Sequence, residues 1–282
     1  MKKKIGFVDL FIDEWHSGNY PKWFKEAPLG GDFEVAMAWE EAPAGGRPLD
    51  VWCREMGIAP EKSLEKLVET CDAICVLSPS NSEAHERLAE IPLASGKPVY
   101  IDKPFAPDRA TAERIFARAD KFHTPLFSSS ALRFPDELIA ARKELSGAAV
   151  DFMAVRGGGR SFEEYSIHQI EMIVSTMGCG IKKVMQCGYG STNHLLLEYA
   201  DGRRAAMTLN HNLPFGASIT GKGRVSDLPQ LSNFFPNLIA AMLEFYAGGP
   251  APVCRKETVE IAAVVDTAIR ALKTPDVWMK VD

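Results

Sequence analysis

Residues Leu77–Ala106 read LSPSNSEAHERLAEIPLASGKPVYIDKPFA. The apolar run Ala73–Leu77 in front of them reads as a buried strand. A polar turn, Ser78-Pro79-Ser80-Asn81, follows it, and Ser82–Ala94 reads as a helix carrying His85. Gly96 supplies the helix stop, and Val99–Ile101 is a second strand ending in Asp102-Lys103-Pro104. Strand, helix and strand in this order predict a parallel pair joined by a crossover. In open parallel sheets ligands bind beyond the carboxyl ends of the strands. Ser78, Pro79, Asn81, Asp102 and Lys103 all stand at such ends.

Outward from this stretch the alternation continues. Ile5–Leu10, Phe33–Trp39 and Leu126–Ser129 read as strands. Tyr20–Lys25, Glu61–Glu69 and Asp108–Phe122 read as helices, with Pro21 in the first turn of its helix. This predicts a Rossmann-type α/β domain over residues 1–128. Beyond it the pattern changes. Phe134–Leu145 and Phe162–Met177 read as helices and Val150–Val155 as a strand. Val184–Tyr189, His194–Tyr199 and Arg204–Asn210 are three runs at hairpin spacing, with Asp201-Gly202 as a two-residue turn. Phe235–Tyr246 and Thr258–Leu272 close the chain as helices. Residues 129–282 are therefore expected to form an α+β domain with a mainly antiparallel sheet, its C-terminal helices returning to the first domain.

The composition narrows the function classes. The chain has 282 residues, is 46% hydrophobic and carries a net charge of -5, without the basic field of a nucleic-acid binder. No apolar run nears the roughly 20 residues that span a bilayer. Ile5–Ile12 follows lysines but contains Asp9, so it reads as a strand and the chain as a cytoplasmic protein. The 6 cysteines are scattered and read as reduced core thiols, and the 6 histidines form no metal-ligand set.

The motifs in Leu77–Ala106 resemble those of the glucose-fructose oxidoreductase/inositol dehydrogenase family. That family has a Thr-Pro turn followed by His, a Gly-Lys turn and a Glu-Lys-Pro motif. This chain has Ser78-Pro79 with His85, Gly96-Lys97 and Asp102-Lys103-Pro104. Arg133-Phe134-Pro135 looks like the family's turn at the end of the nucleotide domain. Glu164, Ser166, His168 and Glu171 are similar to its Asp-x-Gly-x-His-x-x-Asp motif. The resemblance implies a nicotinamide-dependent oxidoreductase of a sugar, polyol or related hydroxylated small molecule, working as a homodimer or homotetramer. It places Lys103, His168 and Glu164 in catalysis. Lys103 would touch the substrate hydroxyl and the nicotinamide end, and His168 would accept the proton. Ser78, Pro79, Asn81, His85, Asp102, Lys103 and Arg133 would line the cofactor site. Structural readings stand beside these. Ser161-x-x-Glu164 is also a capping box, and His85 also reads as docking its helix on the strand end. Glu171 also reads as a structural carboxylate, and Gly157–Gly159 as a plain loop.

The first turn departs from the family. A dinucleotide fold needs Gly-x-Gly-x-x-Gly, so that the pyrophosphate can approach the backbone and rest on a helix N-terminus. Here Gly6 lies inside the strand, Asp9 and Phe11 hold the glycine positions of the cofactor turn, and Asp13 and Glu14 follow. Two like charges 4 Å apart cost about 1 kcal/mol in water and roughly 4 at an effective dielectric of 20. A helix dipole returns only about 0.3–1 kcal/mol. Glu40, after the second strand, is either a loop carboxylate or the acid that holds a ribose diol; as the latter it favours NAD over NADP. Two readings follow: an NAD-dependent oxidoreductase, or a family member that has lost ordinary NAD binding and serves as a ligand-binding or partner protein.

Overall fold

The computed structural model describes residues 1–42, 46–145, 150–188 and 190–282. The chain divides into two units. The first comprises Met1–Ala106, Ala110–Ser129 and Leu238–Arg255; the second comprises Pro107–Arg109, Ser130–Asn237 and Lys256–Asp282.

In the first unit, strands β1 (Lys3–Asp9), β2 (Phe33–Glu40), β3 (Ala59–Pro60), β4 (Ala73–Val76), β5 (Val99–Ile101) and β6 (Leu126–Phe127) form one sheet in the order β3-β2-β1-β4-β5-β6. All their pairings are parallel. Helices α1 (Trp15–Glu26), α2 (Leu49–Met56), α3 (Leu64–Thr70), α4 (His85–Leu88) and α5 (Arg109–Lys121) connect them. The run β4 is buried at all four positions, as expected of a strand covered on both faces. Gly6 belongs to this packing. A Cβ there would lie 2.4 Å from Leu67 Cδ2, so the glycine lets α3 close onto β1.

Two helices differ from their sequence reading. The helix expected from Tyr20 begins at Trp15, because Glu14 caps it and Pro21 falls inside it. The helix expected over Ser82–Ala94 keeps only the single turn α4, flanked by 3₁₀ turns Ser82–Ala84 and Pro92–Ala94. Pro92 lacks the N–H that would continue the α-helical ladder.

In the second unit, α6 (Asp136–Glu144), β7 (Phe152–Gly157), α7 (Phe162–Met177), β8 (Ile181–Cys187), β9 (Thr192–Tyr199), β10 (Arg204–Asn210), β11 (Gly216–Gly221) and β12 (Arg224–Leu228) follow in order. Then come α8 (Phe234–Tyr246), α9 (Arg255–Ala271) and β13 (Met279–Lys280). The sheet runs β12-β11-β7-β10-β9-β8-β13 and is antiparallel except where β10 pairs with β7. Asp201 and Gly202 lie in the connection from β9 to β10, but Tyr199 N donates to Arg203 O across three residues and only Gly202 has positive φ, 88°, so the turn is a three-residue one rather than the two-residue turn expected. The end of the predicted strand at Tyr189 lies outside the described residues. Beyond Asn210 the chain forms the hairpin β11–β12. Its edge strand β12, Arg224–Leu228, is half polar and half exposed. Met153, Leu195, Leu197, Met207 and Ile219 bury one face of the sheet against Ile170, Val174 and α9 residues such as Ile261 and Val264. Leu238–Arg255 belongs to the first unit, and Lys256–Asp282, with most of α9, to the second. Among the described residues no helix is long and apolar enough to cross a membrane.

Candidate functional site

At the carboxyl end of β4 the chain turns through Ser78, whose φ is 73°. A non-glycine residue held there costs about 1–3 kcal/mol. Its side chain is buried, and its Oγ has no hydrogen-bond partner among the described residues. Backbone strain and an unsatisfied buried hydroxyl on one residue are features that cluster at functional sites. Asn81 N donates to Ser78 O at 3.0 Å and closes this turn. The Asn81 amide itself donates to Glu83. Lys103 Nζ donates to Pro79 O at 3.1 Å, so the lysine at the end of β5 reaches over the same turn. The Lys103–Pro104 peptide is cis.

Asp102 is buried beside Lys103. Its Oδ1 accepts from Lys103 N at 2.8 Å and from the Tyr100 hydroxyl at 3.0 Å, and its Oδ2 meets His16 Nδ1. Burial alone would raise its pKa, but the His16 ring and Lys103 hold the carboxyl well below the usual carboxylate range. His16 is itself buried and stacks on Tyr20 with ring centroids 5.2 Å apart. Sequence reasoning missed His16, because its partner lies 86 residues away. His85 takes the structural place anticipated for it. It is fully buried, with Nε2 2.7 Å from Leu77 O and Nδ1 3.1 Å from Phe105 O. Burial pushes its pKa down, so a neutral ring donates to one of these carbonyls.

The first turn is filled from within. Glu14 Oε2 accepts from His16 N at 2.7 Å and Oε1 from Ser17 N at 2.5 Å, so this carboxylate sits on the N-terminus of α1. Glu40 Oε2 accepts from Ile12 N at 3.0 Å. Asp9 Oδ1 accepts from Leu10 N at 2.7 Å. Asp13 faces the Arg47 guanidinium, which lowers its pKa. Phe11 is half-buried in the same turn. A dinucleotide pyrophosphate needs open amides at a helix N-terminus, and here carboxylates already hold them. The pyrophosphate does not fit this turn.

Asp9 carries a further consequence. It is fully buried, and its Oδ2 has no partner among the described residues. Burial, reinforced by Glu14, raises its pKa well above the ordinary value. A raised acid binds its proton more tightly folded than unfolded, so it lowers stability as pH rises from about 4 toward the folded value. The advantage of Asp9→Asn over the parent should therefore grow with pH, by at most about 1.4 kcal/mol per pH unit. Urea denaturation of both proteins from pH 4 to 7 checks this; a pH-independent difference contradicts it.

In the second unit, α7 starts at Ser161, whose Oγ accepts from Glu164 N at 3.2 Å. The Glu164 carboxylate pairs with Arg160. One turn on, His168 Nδ1 lies 2.7 Å from Ser130 Oγ, which also accepts from Leu132 N at 3.1 Å. The rings of Tyr165 and Phe215 meet His168 edgewise at 5.6 and 5.9 Å. The glycine run explains their closeness. A Cβ at Gly157 would lie 2.3 Å from the Phe215 ring, and one at Gly159 would lie 2.3 Å from Tyr165. Arg133 is buried, with Nε 2.5 Å from Glu171 and Nη1 2.6 Å from Glu257. The two carboxylates that hold it come from α7 and α9. Ser130 gave no sequence signal of its role.

Residues 20–129 match the model of an oxidoreductase family with an NAD-binding Rossmann fold. Over these residues the chain is similar to the glucose-fructose oxidoreductase/inositol dehydrogenase/MocA family. No curated protein sequence matches it significantly. Among solved structures it is similar to scyllo-inositol dehydrogenase from Lactobacillus casei, bound to NAD(H) and scyllo-inositol. The TM-score is 0.81 at 16% identity, covering 100% of this chain and 99% of that one. It is also similar to the WlbA dehydrogenase from Bordetella pertussis, in complex with NADH and UDP-GlcNAcA. There the TM-score is 0.76 at 16% identity, with 100% and 99% covered. At these identities the likeness establishes a shared fold.

Proposed function

We propose that this oxidoreductase-family chain handles the hydroxyl group of a small polyhydroxylated molecule of the sugar or polyol class. His168 accepts the proton. The observation that carries this reading is the fixing of His168 by Ser130, Tyr165 and Phe215. The tautomer with Nδ1–H donating to Ser130 Oγ makes Nε2 the basic nitrogen. Ser130 Oγ has the two lone pairs needed to accept from both Nδ1 and Leu132 N. Glu164, paired with Arg160, keeps negative charge one helical turn away. In the family, a nicotinamide removes the hydride. The first turn of this chain does not fit its pyrophosphate.

The filled turn favours a second reading, in which the chain binds such a ligand without turning it over. Calorimetric titration with inositols, sugars and sugar acids tests the shared claim. A ligand bound at submillimolar levels, and weakened about tenfold or more by His168→Ala, supports it. Absence of any such ligand, or equal binding by the variant, overturns it. NADH formation with the bound ligand separates turnover from binding alone.

A further inference from the structure

We infer that Glu14 is a built-in substitute for a dinucleotide's pyrophosphate, so that the first unit is closed to diphosphate ligands at the seat its fold normally offers them. The case rests on where the backbone amides go. In a parallel α/β fold the turn after β1 and the N-terminus of the next helix present open N–H groups, and an anion binds because those donors have nothing else to satisfy them. In this chain the amides of Leu10, Ile12, Glu14, His16 and Ser17 are all engaged locally. Leu10 donates to Asp9, Ile12 to Glu40, Glu14 to Ile12 O, and His16 and Ser17 to the two oxygens of Glu14. The Ser17 hydroxyl donates back to Ile12 O and ties the turn shut.

The Glu14 carboxylate thus makes the contacts a phosphate would make, from a covalently attached position. A tethered anion meets no loss of translational freedom on binding, whereas a free diphosphate does. A diphosphate would have to displace it and then lie beside Glu14, Glu40 and Asp9. Glu40 is doubly informative. The residue placed to hold a ribose diol is spent on the turn's own backbone, so the adenosine half of a dinucleotide loses its expected partner as well.

This inference goes beyond the hydroxyl chemistry proposed above, and its test uses a probe that carries no polyol and no nicotinamide. ADP-ribose has the diphosphate and both riboses of NAD. The full chain, Glu14→Ser and Glu14→Gln would each be titrated with it calorimetrically, after circular dichroism has confirmed equal helix content. Serine keeps an N-cap oxygen for α1 while removing the charge and the reach. Glutamine keeps the size and removes the charge alone. The expected result is no binding by the parent below millimolar concentration, with Glu14→Ser binding about tenfold tighter or more and Glu14→Gln in between. Micromolar binding by the parent overturns the inference. So does a folded Glu14→Ser protein that binds no more tightly than the parent. If serine fails to fold, the glutamine variant decides by the same comparison. Failure here leaves the polyol titration untouched, because that experiment reads His168 in the absence of any nucleotide.

Discussion

Arg133→Met is expected to destabilise the second unit by about 3–5 kcal/mol, the cost of removing one partner from a buried ion pair. Arg133 is 6% exposed, and its side chain bridges Glu171 on α7 and Glu257 on α9. Burial would favour a neutral guanidinium, but the two carboxylates hold it charged. Methionine fills much of the same volume, so the loss is electrostatic rather than a cavity. It strands Glu171, only 3% exposed, without the cation it faces across 2.5 Å. Arg142 Nη2 donates to Arg133 O at 2.9 Å, and a backbone shift would strain that bond too. The double variant Arg133→Met, Glu171→Met should recover most of the loss, because two apolar side chains replace a desolvated pair. Urea denaturation of the parent and both variants measures this. A single variant within about 1 kcal/mol of the parent would show that the bridge contributes little beyond a surface pair.

Arg133 also shows what the sequence could and could not convey. Its motif was legible, and the resemblance assigned it to the cofactor. Its two partners, 38 and 124 residues downstream, carry no local mark. The parallel sheet was legible because buried β-runs such as Ala73–Val76 alternate with amphipathic helices. The β9–β10 hairpin was legible because Asp-Gly is a turn signal. The hairpin β11–β12 was not, since its edge strand Arg224–Leu228 is half polar and half exposed. The first turn is the most instructive case. Its acids were read from sequence as charges that repel a phosphate. In the fold they act as hydrogen-bond acceptors that use up the amides first. Repulsion and prior occupancy leave the same residues in the sequence, and only the backbone geometry separates them. Glu14-x-x-Ser17 is a capping box with its acid and hydroxyl exchanged, and that reversal was the available signal.

Asp102→Ala should cost the first unit about 3–5 kcal/mol and disturb the position of Lys103 in the same stroke. The carboxylate is 1% exposed and serves three donors from three places: His16 on α1, the Tyr100 hydroxyl on β5, and the amide of Lys103. Removing it leaves a histidine ring buried without its anion and frees the backbone that aims Lys103. Tyr100 suffers less, because its hydroxyl also lies 3.0 Å from Ser129 O. Asp102→Asn separates these effects. The amide oxygen still accepts from Lys103 N, while the charge facing His16 is gone, so a smaller loss with Lys103 still in place is expected. The pH dependence carries a definite sign. Because the folded carboxyl titrates well below the unfolded value of about 3.9, its contribution is complete above that value. It is lost only as pH falls toward the folded value. The gap between parent and Asp102→Asn should accordingly narrow as pH falls below about 4. A gap that widens on acidification would mean that Asp102 is protonated in the native protein. The ion pair with His16 would then be excluded as the feature that joins α1 to the end of β5.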